Sequence, residues 1–244
     1  MLRDNPEAIF AVTNQVVLDF KAETATVPLV AVIGDPVAFG IVPSLARPGG
    51  NITGVSPVLD LSTWSKRVEL LREVTPKISR MGFLASHYAW ESPMGALLRE
   101  ATKKVGVSLI GPPLDAPYHE AEYRRVLSLM AQGGAEALIV GDLPYTFKNR
   151  RLIVELAEKG RLPAIYPFRE YVELGGLMAY GFDLADVGRH VAQQIDMILR
   201  GTKPGEIPFY QPNKITLTIN FKTAKTLGIE IPSSLFASAD EVIE

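Results

Sequence analysis

The sequence predicts an α/β protein with parallel sheets, and three observations carry the prediction. Short apolar runs alternate with helix-length amphipathic segments from one end to the other. Most of those runs stop abruptly at Gly, Asp or Pro, as strands buried on both faces do where they pass into loops. Roughly ten strands would make one open sheet unusually large, so two sheets are expected.

The elements follow in order. Residues 8–12 read as a strand and 14–23 as a helix. The run from Leu29 to Ile33 is a strand ending at Gly34-Asp35-Pro36, and residues 38–46 read as a short helix closed by Pro48-Gly49-Gly50. Residues 52–56 are a strand ending in Ser56. In 62–74, Trp64, Val68, Leu71 and Val74 fall at helical spacing, and Pro76 stops the helix. Residues 80–85 are a strand, and 86–92 a loop. Ser92-Pro93 reads as an N-cap with proline at the first helical position, opening a helix over 94–105. Strands are then expected at 107–110, 137–140, 164–166, 177–180 and 215–219. Helices are expected at 121–132, 147–158, 184–199 and 222–227. Breaks fall at 58–62, at 182–185 and in the Pro-rich stretch 203–212, which reads as an extended crossing. Three crossings between two α/β lobes form a hinge, which suits closure on a ligand.

Composition excludes several classes. With 244 residues, 47% hydrophobic and 21% charged, the chain can bury a core of one large or two modest domains. The net charge of −2 and the lack of a basic stripe argue against a nucleic-acid partner. Absence of cysteine removes disulfides and Cys-based zinc sites, and the three histidines are scattered, so no metal site is expected. There is no G-x-S-x-G, Walker loop or G-x-G-x-x-G, and no nucleophile–base set can be assembled; no cofactor and no enzymatic role is expected. No apolar run approaches the ~20 residues of a membrane helix. The opening MLRDNP leads straight into the first strand rather than a signal peptide, so the chain as written reads as cytoplasmic.

Ligands of open α/β sheets bind at the C-terminal ends of strands, and the candidate binding residues are taken from those ends. Thr13 and Asn14 follow the first strand, where they either cap the next helix or aim donors at an anion. Asp35 and Pro36 follow the second; Asp35 either holds a ligand ammonium or caps the segment behind it. In the loop 86–92, Ser86 and Ser92 sit where free helix-start amides suit a carboxylate, and Tyr88 and Trp90 could stack on a ligand. The plainer reading of Trp90 is a ring packed under its own loop. Asp142 ends the strand 137–140. Pro167, Phe168 and Arg169 end the next, with Arg169 readable as a carboxylate clamp or as a surface ion pair. Tyr180 and Asp183 precede the return helix, where a wall and a cap are the plain alternatives.

Six strings carry a resemblance: GDPV, SLARPGGNITGVS, KRVELLREVTP, RLPAIYPFREYVELGGLMAYG, MILRGTKP and NFKTAKTLGIEIPSSLFASADEVIE. In these the chain resembles the bacterial ABC-transporter substrate-binding proteins of the type I periplasmic-binding class, in the branch that takes up aromatic amino acids. The resemblance covers essentially the whole chain. It implies two Rossmann-like lobes with parallel sheets joined by a three-crossing hinge, lobe I being 1–58 plus 183–206 and lobe II 59–182 plus 207–244. It implies a small ligand, an amino acid or related metabolite, in the cleft between them, membrane subunits of an ABC importer as partners, and a place in the periplasm or cell envelope. Members usually begin with a signal peptide and further β-α units before the strand matching residues 8–12. Lobe I is therefore expected to be N-terminally incomplete, with an open strand edge available to a homodimer. The loop 86–92 is longer than the family's usual Asn-Pro type. A ligand-sensing regulatory domain of the same fold and a truncated homologue that binds nothing are the alternatives.

Overall fold

The computed structural model describes residue 4, residues 6–57 and residues 61–244. By internal contact the chain divides into unit 1, Met1–Val58 with Phe182–Lys214, and unit 2, Leu59–Gly181 with Ile215–Glu244. The crossing expected at 58–62 lies largely outside the described residues.

Unit 1 is built on a parallel three-stranded sheet, β1 (Ile9–Val12), β2 (Leu29–Val32) and β3 (Ile52–Val55), in that spatial order. Central β2 is covered on both faces, which is why its sequence is continuously apolar. Edge strand β1 alternates instead: Ile9 and Ala11 are buried, Phe10 and Val12 exposed. Helix α1 (Asn14–Glu23) adds Val17 to the core made by Ile9, Leu29, Ala31, Ile52 and Phe209. Between β2 and β3 the expected helix over 38–46 is absent. The carbonyl of Pro36 accepts both Ile41 N–H and Val42 N–H, closing a turn that buries Ile41 and Val42, and Pro43 can donate no further rung.

The segment 207–214 also differs from the sequence expectation, which placed it in the second lobe. It stays with unit 1 because Ile207 and Phe209 are buried there. It lies beside β3, where Tyr210 N–H donates to Gly54 O (2.9 Å), Ser56 N–H donates to Tyr210 O (2.8 Å) and Thr53 Oγ1 donates to Ile207 O (2.7 Å). The stretch 203–212, expected to be an extended crossing, opens with a 3-10 turn, Pro204–Glu206.

Unit 2 carries a seven-stranded sheet made of β4 (Arg80–Leu84), β5 (Ser108–Ile110), β6 (Ala137–Val140), β7 (Ala164–Tyr166), β8 (Met178–Phe182), β9 (Ile215–Asn220) and β10 (Glu241–Ile243). The order is β10-β9-β8-β7-β6-β4-β5. Strands β4 to β8 run parallel. β9 returns the other way, since Asn220 N–H reaches Leu177 O while Thr216 Oγ1 reaches Gly181 O. Helix α2 (Leu61–Val74) buries Trp64, Val68, Leu71 and Val74, the expected stripe, against Phe83 and Met81 of β4. Each such side chain contributes about 1.5–3 kcal/mol relative to exposure.

Two local expectations are corrected. Residues 86–92 are not a loop: α3 (His87–Glu91) occupies them, with Ser86 as its N-cap, and α4 (Pro93–Lys104) follows from N-cap Ser92. The helix expected at 147–158 is two helices, α6 (Pro144–Lys148) and α7 (Arg150–Lys159). They break at Asn149, whose side-chain amide and the Tyr123 hydroxyl both donate to the Tyr145 carbonyl. The helices α5 (Glu120–Gln132), α8 (Arg169–Glu173), α9 (Leu184–Leu199), α10 (Phe221–Leu227) and α11 (Ser233–Ser238) complete the chain; α8, α11 and β10 were not anticipated.

Candidate functional site

Parallel pairing brings strand ends to one edge of each sheet. In unit 1 that edge carries Thr13 and Asn14 after β1, Asp35 and Pro36 after β2, and Ser56 after β3. Thr13 is exposed and holds φ at +82°, rare for a β-branched residue, and its side chain makes no cap bond to α1. Asp35 is exposed, and its Oδ1 accepts Ala38 N–H at 3.0 Å, which is the capping reading. Pro36 is buried. Ser56 is fully buried, and among the described residues its hydroxyl makes no hydrogen bond. Asp183 caps α9, its Oδ1 accepting Ala185 N–H at 2.8 Å.

In unit 2 the strand-end edge is joined by contacts. Ser86, after β4, donates its N–H to the Tyr145 hydroxyl at 3.1 Å. The Tyr145 ring stacks on Tyr118, which comes from the segment after β5, with centroids 4.0 Å apart. Burial pushes the Tyr145 phenol up to about 12, so it stays a neutral donor and acceptor. Asp142 follows β6, and its carboxylate lies 3.7 Å from Arg67 Nη1. Arg67, on α2, is fully buried: Trp64 lies under its guanidinium at 4.4 Å, and its Nε donates to the Tyr180 carbonyl at 2.8 Å. Burial lowers the Arg67 pKa and raises that of Asp142, each group's charge working against the shift of the other.

The remaining candidates divide. Tyr88 is 74% exposed and free to meet a ligand. Trp90 packs inward on Phe83, centroids 5.3 Å apart, as the plainer reading had it. Ser92 is occupied as the α4 cap. Pro167 and Phe168 are buried, Phe168 edge-on to Phe147. Arg169 pairs with Glu173 (2.9 Å) and Glu241 (3.1 Å), the surface-pair alternative. Tyr180 packs its ring on the unit 2 core. Sequence reasoning missed Arg67 and Tyr118 as parts of this edge, while Tyr145 was legible as an aromatic following Asp142. Arg67 did leave a signal: it stands three residues after Trp64 and four before Leu71, a cation inside the apolar stripe of a helix. Among the described residues no group of three or more His, Asp or Glu could hold a metal ion, and no helix is long and apolar enough to cross a membrane.

Known proteins share this architecture. A conserved domain protein from Vibrio cholerae superposes with a TM-score of 0.82 at 24% identity, covering 99% of this chain and 80% of that one. The ABC domain from Streptococcus pneumoniae, crystallised in complex with L-Trp, gives 0.78 at 24% identity, covering 97% and 81%. A tyrosine-binding protein of Clostridioides difficile is 24% identical over 229 residues, which are 93% of this chain and 64% of that protein. This chain thus spans about two thirds of that relative's length. A family model described as ABC transporter substrate binding protein matches residues 1–243, and the chain belongs to that family.

Proposed function

We propose that the protein is the solute-binding component of an ABC-type importer and holds an amino acid or related small metabolite at its strand-end residues. One observation carries the reading. On unit 2, parallel strand ends line up a capped helix start at Ser86, an aromatic pair at Tyr118 and Tyr145, and a carboxylate at Asp142. Polar groups beside aromatic faces are what a small zwitterion with an apolar side chain needs. Unit 1 would supply Thr13, Asn14, Asp35 and Ser56, and the strained backbone of Thr13 suits a ligand contact. The relatives co-crystallised with L-Trp or named for tyrosine binding support the ligand class. A hinge motion would use the places where the chain passes from one unit to the other, near residues 58, 182 and 214, and membrane subunits of the transporter would read the ligand-bound form. The role is binding rather than catalysis, and the place of action the cell envelope.

The test is a thermal-shift screen of the twenty amino acids and their 2-oxo and 2-hydroxy relatives. A ligand at a hundred times its Kd stabilises by about 2.7 kcal/mol, several degrees in Tm. A panel without any shift would reject the amino-acid reading. Pairing of two chains through β1 belongs to the same proposal: among the described residues β1 pairs only with β2, and it exposes Phe10 and Val12. Sedimentation showing a monomer throughout the concentration range would reject it.

A further inference from the structure

The arrangement of Arg67 has no sufficient structural explanation. Its guanidinium is fully buried, and among the described residues neither Nη1 nor Nη2 makes a hydrogen bond. One carbonyl, one indole face and a carboxylate 3.7 Å away are its partners. Burying a cation against so long an ion pair costs more than the pair returns, and a methionine in the same space would pack the core without that cost. The Asp142 side chain, in contrast, remains 14% exposed just after β6, while that of Arg67 is fully buried.

We propose that Arg67 is a positioning residue whose buried charge holds the Asp142 carboxylate in place and ionised, so that Asp142 presents negative charge to the ammonium group of the ligand. This rests on the functional reading above and extends it to a ligand class, primary amines such as 2-amino acids. Burial opposes the charge of a carboxylate in that position, and Arg67 is the cation facing it that favours the charge. The other titratable groups facing the pair are Tyr145 on α6, Tyr171 on α8 and Tyr180 on β8, none of which can carry a positive charge. None can replace the guanidinium.

The experiment compares wild type, Arg67→Lys, Arg67→Met, Asp142→Asn and the double variant R67M/D142N. Side-chain carboxyl resonances of Asp142 are followed through a pH titration in ligand-free protein. Affinities are measured for L-tryptophan and L-tyrosine and for the 2-hydroxy acids with the same side chains. Arg67→Met is expected to move the Asp142 titration to higher pH and to weaken the amino acids about tenfold or more, the scale of a charge-assisted hydrogen bond. The hydroxy acids, lacking the ammonium, should change little. Arg67→Lys should restore the titration and most of the preference, and the double variant should fold while showing no preference. Equal loss for amino and hydroxy acids, or an Asp142 titration unmoved by Arg67→Met, overturns the inference. If wild type binds no amino acid, the functional reading fails on its own, and the carboxyl titration still decides whether Arg67 governs Asp142. Should Arg67→Met not fold, the lysine variant carries the test: failure to preserve the titration rejects the role.

Discussion

Gly54 lies in β3 where the strand passes closest to β2, and its substitution by alanine should be the most damaging single methyl in unit 1. A Cβ at this position would stand 1.9 Å from Ala31 O and 2.6 Å from Ala31 N, and φ is +156°. The contact must lengthen to at least 3.0 Å, and the atoms in the way are backbone. Strand β2 therefore has to move, against the register that pairs Ala31 with Gly54. Tyr210 N–H and Gln194 Nε2 both donate to Gly54 O, so the shift disturbs the 207–214 segment and α9 as well. An unfavourable φ costs about 1–3 kcal/mol, and overpacking adds about 1–3 more. The expected loss of about 2–6 kcal/mol is a large part of the stability of an ordinary domain. Urea unfolding followed by far-UV circular dichroism measures it. Both tryptophans, Trp64 and Trp90, belong to unit 2, so fluorescence reports that unit separately. Gly50→Ala is the control: φ is +74° but nothing lies within 4 Å of the added methyl, so about 1 kcal/mol is expected. If Gly54→Ala costs no more than Gly50→Ala by circular dichroism, the close-approach argument is wrong.

Further outcomes are expected from the same contacts. Thr53→Val removes the buried donor to Ile207 O and should cost about 1–2 kcal/mol in urea unfolding, with faster amide exchange over residues 207–210. Glu122 accepts hydrogen bonds from Arg125 and from Asp115 N–H, and the Arg125 bond holds its carboxyl below the usual glutamate range. Its folded pKa lies below the unfolded value, so its stabilisation is complete above the unfolded pKa and is lost as pH falls through the folded one. Glu122→Gln should therefore lower stability by about 1 kcal/mol at pH 7, and the gap from wild type should close in acid. Tyr145→Phe leaves Ser86 N–H without its acceptor; a loss of about 1–2 kcal/mol by thermal denaturation is expected, together with the disappearance of one late-titrating phenol from the alkaline absorbance curve. Ser92→Ala removes the α4 cap to Gly95 N–H and should cost about 1 kcal/mol, restored by Asp at the same position.

The legible parts of the fold were those written in local pattern. The buried stripe of α2, the Ser92-Pro93 start of α4 and the bounds of α1, β6 and α9 all follow from periodicity and capping chemistry within a turn or two of chain. The misread segments were settled by long-range partners. The helix expected at 38–46 yields to a turn because Ile41 and Val42 reach the unit 1 core, and 207–214 joins unit 1 because Phe209 fills that same core. Among the site candidates, Asp35, Ser92, Asp183 and Arg169 hold the plain local roles that were weighed beside their functional ones.

By itself the sequence determined the α/β class, the alternation that sends strand ends to a common edge, and the absence of cysteine and of any basic stripe. Its long strings resemble one family, and the family model matches essentially the whole chain. Tertiary structure decided which of the strand-end residues touch. Trp64 and Arg67 are neighbours on one helix, but the partners of that cation, Asp142 and the Tyr180 carbonyl, come from strands far along the chain. The stacking of Tyr118 on Tyr145 likewise joins segments on different strand connections. Local periodicity places a side chain on a face. Only the packing of distant elements sets what stands opposite it, and at a buried charge that opposite partner decides the chemistry.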